Sequence, residues 1–285
     1  MVGALAFDTP VAVSGPVRGG GRLTGQMRPR RIGGGGANAA CALVQAGHAA
    51  TLVSVVADSA EGRARVAAAE ALGIDTRMIV TAPGPDRTTL VLIDPAGERT
   101  VLVLNPEGAI LPPDLPTLAT SAALALAQKA PGVYLRAAFP GAEAVGAACA
   151  GPVVCHWPGP RAHLACADVL IGSADDVGDG ALADLRAAAR GHGARDSAAL
   201  VLTDGAKPVR IVGGASEAVL IPPPTAHVVD ATGAGDVFAA GVLEALAQGA
   251  ALPAAVAHGC QWGARAVGHD GSSPAGLTLP PFSLS

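Results

Sequence analysis

Short runs of aliphatic and β-branched residues alternate with alanine-rich helical stretches through most of this 285-residue chain. TLVSVVA at 51–57 is followed by EGRARVAAAEAL at 61–72, and PVVCH (152–156), ADVLIG (167–172) and ALVLT (199–203) continue the pattern. Strands that are apolar throughout are buried on both faces, as in parallel sheets, and the helices between them supply the crossovers. The expectation is therefore one continuous α/β domain over residues 1–285, a three-layer sandwich with a mostly parallel central sheet. GAGDVFAAGVLEALAQG and LPAAVAHGCQWGARAVG read as two consecutive helices, the first ending at Gly249. The opening MVGALAFDTPVAV carries Asp8 and lacks a basic leader, so it reads as a buried first strand.

One region breaks the rhythm. RTTLVLIDPAGERTVLVL (87–104) is two β-rich runs around a D-P-A-G-E turn, the pattern of an antiparallel hairpin. Residues 11–32 are also non-helical and hold Arg18, Arg22, Arg28, Arg30 and Arg31, which read as a solvated face. Together these segments, about 9–32 and 86–106, are expected to form a small β lid on the α/β body.

Composition narrows the partners. A net charge of −4 with 2 % aromatic residues gives neither the basic surplus nor the stacking platforms of a nucleic-acid binder. No uninterrupted apolar run is long enough to cross a membrane. Five cysteines without a C-x-x-C pair fit a reducing cytoplasm. Cys149, Cys155, His156, His163 and Cys166 lack the paired short spacing of a zinc site.

Two glycine-rich stretches could hold ligands. Gly34-Gly35-Gly36-Ala37-Asn38-Ala39 mimics the dinucleotide pattern G-x-G-x-x-A. That pattern must follow a buried strand, and Arg28-Pro29-Arg30-Arg31 cannot form one. The second stretch is VVDATGAGDVFAAG, 228–241, where a tight turn opens a helix near Asp236. Backbone N–H groups at a helix start bind anions, and small residues at 233, 234 and 235 let a phosphate approach them. A carboxylate beside such a hole suits phosphoryl transfer: the hole stabilises the moving charge and the carboxylate accepts a hydroxyl proton.

D-A-T-G-A-G-D at 230–236 resembles the D-T-x-G-A-G-D signature of the ribokinase-like, or PfkB-type, carbohydrate kinases. GGGGANAACALVQAGHAATLVSVVADSAEG (33–62) resembles that family's N-terminal signature, with G-G-x-x-x-N before a helix. The resemblance implies a ribokinase-like fold and Asp236 as general base, with Gly233, Ala234 and Gly235 as the anion hole. It implies that Asp8, Gly34, Gly35 and Asn38 bind sugar hydroxyls, and that Thr203, Gly205, Asp230 and His258 border the nucleotide. The family's N-x-x-E element aligns with Ser173 and Asp176, leaving Asp176 for the metal. Its D-x-N-P segment appears as CHWPGP, with His156 and Trp157. Many ribokinases carry a lysine where this chain has Gly35, and a ribose-contacting glutamate where it has Ala138.

The implied activity is ATP-dependent phosphorylation of a primary hydroxyl on a small sugar, using Mg2+ and compatible with a monovalent cation such as K+. The implied partners are a sugar substrate and a second copy of the chain, a homodimer through the lid, with no nucleic acid and no membrane. Two other readings stand beside it: a nucleoside kinase of the same family, and a non-catalytic sugar- or nucleotide-binding protein.

Overall fold

In the computed structural model the described residues are 1–96, 99–106, 108–109, 111, 114–115, 117–136, 139–177, 182–212, 218–269 and 274–283. The strands are β1 (Ala6–Val13), β2 (Gly25–Met27), β3 (Arg31–Gly33), β4 (Ser54–Ala57), β5 (Ile79–Ala82), β6 (Thr88–Ile93), β7 (Arg99–Leu104), β8 (Val133–Leu135), β9 (Val153–His156), β10 (Val169–Ser173), β11 (Ala199–Thr203), β12 (Val209–Val212) and β13 (Val219–Ile221). The helices are α1 (Gly35–Gln45), α2 (Ala60–Ala71), α3 (Ser121–Ala127), α4 (Ala142–Ala148), α5 (Arg161–Cys166), α6 (Ala174–Val177), α7 (Leu182–Gly191), α8 (Ala234–Ala247) and α9 (Leu252–Val267).

The larger sheet has the order β13-β12-β11-β10-β9-β8. Its β8–β9, β9–β10 and β10–β11 pairings are parallel, whereas β11–β12 and β12–β13 are antiparallel. Val2 extends it by parallel bridges to Leu135 and Val53, beside the parallel pair β4–β5. The alternation of side chains across this sheet creates two cores. Tyr134, Val154, Ile171 and Val201 pack with α1, α8 and α9, whereas Leu135, Cys155, Leu170 and Leu202 pack with α3, α4 and α5. Strands buried on both faces and covered by helices on both sides explain why their sequences are apolar at every position.

The expected hairpin is β6–β7, in antiparallel register from Thr88↔Leu104 to Ile93↔Arg99. The Asp94 carboxylate accepts the Ala96 amide at 2.8 Å and tightens the turn. These strands join β1 and β2 in a second sheet ordered β2-β1-β6-β7, with β3 paired to the first half of β1. The opening segment departs from expectation. Only Val2 enters the central sheet, and the strand proper, β1, runs through this smaller sheet, so Asp8 lies within it and not at a strand end. Pro10, which has no N–H to donate, falls in β1 between the residues paired to β3, through Asp8, and those paired to β2, from Val11.

Candidate active site

The ends of β8, β9, β10 and β11 point to one edge of the central sheet, where crevices form in open α/β folds. The starts of α1 and α8 meet there. Gly34 caps α1 with φ at +88°, and a Cβ on it would lie 2.5 Å from the Ala4 carbonyl oxygen, so only glycine fits. Gly233 caps α8 in the left-handed region at +77°. Neither cap supplies a side-chain acceptor. Among the described residues the N–H groups of Gly35, Gly36, Gly233 and Gly235 have no bonding partner. Of the three amides at the expected hole, those of Gly233 and Gly235 are left without a partner among the described residues, whereas the Ala234 amide leans on the Ala231 carbonyl at 3.3 Å. A Cβ on Gly235 would meet nothing within 4 Å, which leaves an open approach to that helix start.

Asp236 sits between the two helix starts, buried at 8 % exposure. Its Oδ1 accepts from Arg136 Nε at 2.8 Å and from the Tyr134 hydroxyl at 3.4 Å. Among the described residues its Oδ2 accepts only from Asn38 Nδ2, at 3.3 Å. Asn38 is itself buried, and among the described residues its Oδ1 has no partner. Gly35 closes the group: a Cβ there would stand 2.8 Å from Asp236 Oδ1 and 2.4 Å from Arg136 Cγ. Asp8 lies against Gly33, where a Cβ would come within 2.2 Å of its Oδ2. Of the four consecutive glycines, Gly33 and Gly35 therefore make room for two carboxylates and a guanidinium, while Gly34 and Gly36 admit the backbone of Ala4 and Gly3.

The electrostatics follow from this packing. Burial opposes the Arg136 charge, but Asp236 and Tyr134 reverse the balance and hold the guanidinium more firmly protonated than usual. Burial, then the Asp236 charge, pushes the Tyr134 phenol well above its ordinary range. His156, at the end of β9, is lowered to about 4, first by burial and then by Arg136, so it is neutral at pH 7. Asp176 on α6 is exposed and acts electrostatically on both Arg136 and His156, which puts it at the same edge.

The remaining expected residues divide. Thr203 ends β11 and donates to the Gly172 carbonyl at 3.3 Å, and Gly205 turns at φ +54° with open space around it. Asp230 is buried and engaged by two arginines of the smaller sheet, Arg31 at 3.7 Å and Arg99 at 3.2 Å, so it ties β3 and β7 to the loop before α8. His258 is not brought to the group around Asp236. It is buried against Trp262 and Phe282, with Nε2 2.9 Å from Glu244 Oε2. Ala138 lies outside the described residues. The sequence reading missed Arg136 and Tyr134; a polar residue directly after a buried strand that ends at the crevice is the signal that could have found them.

A cavity of about 530 Å³ lies beside this edge, between residues 224–227 and α9, lined in part by Thr225, His227, Gln261 and Arg265. The amides of Val229 and Asp230 both bond the Val267 carbonyl, which fixes the cavity's wall to the loop leading into α8.

Comparison with known proteins agrees with this architecture. The profile described as pfkB family carbohydrate kinase matches residues 11–278. The ribokinase of Thermotoga maritima superposes with a TM-score of 0.78 at 19 % identity, covering 98 % of this chain and 95 % of that one. Arabidopsis thaliana ribokinase, solved with ribose and ATP, gives 0.79 at 19 %, covering 98 % and 94 %. The Burkholderia thailandensis nucleoside kinase, solved with inosine, gives 0.70 at 19 %, covering 98 % and 93 %. No curated protein sequence matches the chain.

Proposed function

Because this chain belongs to the pfkB family of carbohydrate kinases, we propose that it transfers the γ-phosphoryl group of ATP to a primary hydroxyl of a small sugar. The observation that carries the reading is Asp236: a buried carboxylate with an underused Oδ2, set between two helix starts with unpartnered amides. In this reading the acceptor hydroxyl rests on Oδ2, which takes its proton as the oxygen attacks phosphorus. The Gly233 and Gly235 amides stabilise the charge on the phosphate oxygens. Asn38 Oδ1 and Asp8 accept from neighbouring sugar hydroxyls, as carboxylate and amide oxygens suit a polyol. ATP supplies the phosphoryl group, and its purine fits the cavity beside α9. Asp176, exposed at the same edge, fits a magnesium ion held mainly through water and phosphate oxygens.

A nucleoside acceptor is the weaker reading, because of the two aromatic residues that could stack a base, Trp157 is buried at 3 % exposure and Phe139 packs against the core cluster of α3 and α4. The smaller sheet acts as the lid over the sugar. Its edge strands β2 and β7 expose Met27, Val101, Leu102 and Leu104, an apolar rim suited to pairing with a second copy.

The test is ATP consumption with D-ribose, D-fructose, other small sugars and inosine as acceptors. Turnover with a sugar is expected, and Asp236→Asn should lower kcat by about 10²–10⁴ while the protein stays folded. Binding without turnover across the panel would refute the catalytic reading.

A further inference from the structure

Arg136 belongs to none of the motifs that identify the family, yet it makes the shortest contact to the proposed base. Its Nε donates to Asp236 Oδ1 at 2.8 Å. Among the described residues no other hydrogen bond reaches its guanidinium, and the side chain is 34 % exposed, so its Nη groups are left for solvent or a ligand. Its stem crosses directly over Gly35 and lies against Gly3, where glycines leave the required space. The guanidinium therefore lies against the first turns of α1 and α8, at Gly35 and Asp236, the helix starts that carry the unpartnered amides.

Phosphoryl transfer needs positive charge there. The transferring group spreads negative charge over its equatorial oxygens, and catalysis is mostly positioning and electrostatic stabilisation. Lys129 and Lys207 are the chain's only lysines; Lys207 is exposed and paired with Asp204, and Lys129 follows α3 on the other side of the sheet. The guanidinium fork is rigid and planar. With Nε on the base, its Nη groups remain available to an anion held beside that carboxylate.

We propose that Arg136 is a catalytic residue of this kinase: Nε orients Asp236, and the Nη groups bond the oxygens of the transferring phosphoryl group. The acceptor oxygen forms its bond to the γ-phosphorus while the bond to the bridging oxygen breaks. ADP leaves with that electron pair, and the hydroxyl proton passes to Asp236 Oδ2. The charge of Arg136 remains constant throughout, so it acts on the phosphoryl oxygens and not as a proton donor.

This inference rests on the kinase reading, and its test separates the two. Wild type, Arg136→Lys, Arg136→Gln and Arg136→Ala are compared in steady-state kinetics with the best sugar of the panel. Calorimetric binding of Mg·ADP, with and without aluminium fluoride as the phosphoryl mimic, is measured alongside, and thermal melts verify folding. Arg136→Ala should lower kcat by about 10³ or more, as arginines supply about 10³–10⁵ in phosphoryl transfer. It should also remove at least about tenfold of the tightening that aluminium fluoride gives to ADP, with ADP alone bound as before. Arg136→Lys should restore part of both, and Arg136→Gln neither. A folded Arg136→Ala protein that keeps kcat and the fluoride-dependent tightening overturns the role, as does one in which only the sugar KM rises. A wild-type protein without turnover overturns the kinase reading itself.

Discussion

Gly235→Ala separates folding from function at one atom. Gly235 lies in the first turn of α8, and a Cβ built on it meets no atom within 4 Å. The substitution therefore creates no clash in the unliganded protein, and it removes the entropy cost of a helical glycine. Alanine should stabilise the chain by up to about 1 kcal/mol, less at a helix start than in its interior. For a chain of this size that raises Tm by roughly 1–3 °C. The same methyl group fills the space through which a phosphate must approach the Gly233 and Gly235 amides. Losing one charge-assisted hydrogen bond costs about 1.5–3 kcal/mol, so Mg·ATP binding should weaken by roughly 10–100-fold. Differential scanning fluorimetry reads the first effect and calorimetric titration with a non-hydrolysable ATP analogue reads the second. A variant that is both more stable and undiminished in nucleotide binding would refute the anion hole. A variant that melts several degrees lower would refute the open space.

Three further perturbations follow from the buried charges. Between pH 6.5 and about 4 the unfolded His156 takes up a proton and the folded one does not. Its contribution therefore lowers stability as pH falls through that window, by about 3 kcal/mol, and is absent above it; Asp236 and Arg136 unchanged, His156→Gln should flatten that part of the urea-denaturation profile. Asp230→Asn leaves Arg31 and Arg99 without their carboxylate; because both arginines are partly solvated, a loss of about 1–2 kcal/mol is expected, with faster hydrogen exchange in β6 and β7. Glu244 accepts from His48, Gln248 and the Phe282 amide and lies beside His258, so Glu244→Ala should cost about 3–5 kcal/mol and release the C-terminal segment to limited proteolysis.

Local chemistry was legible wherever it depends on neighbours in the chain. The Thr232-Gly233 turn into α8 follows from small residues before an apolar helix, and the β6–β7 hairpin from two β-rich runs around Asp94-Pro95. Burial of α8 and α9 follows from their alanine-rich composition, and the parallel pairing of β9, β10 and β11 from strands apolar on both faces. Less legible was what a residue meets from elsewhere. His258 sits in a helix as expected, but Glu244 and the returning Phe282 close over it. The chain's opening reads as one strand, yet it divides between two sheets because Val2 finds Val53 and Leu135 while β1 finds β6.

The sequence by itself determined an alternating α/β chain, a hairpin-bearing β appendage and a carboxylate at the start of a glycine-led helix, since spacing and residue type carry those features. Only the tertiary structure decided that Arg136 would reach that carboxylate, 100 positions away, and that Asn38 would bond its other oxygen. It also decided that Gly33 and Gly35 are small because Asp8, Asp236 and Arg136 occupy the space beside them. The reason is physical: a glycine records that something must come close, and long-range packing of α1 against α8 selects what comes.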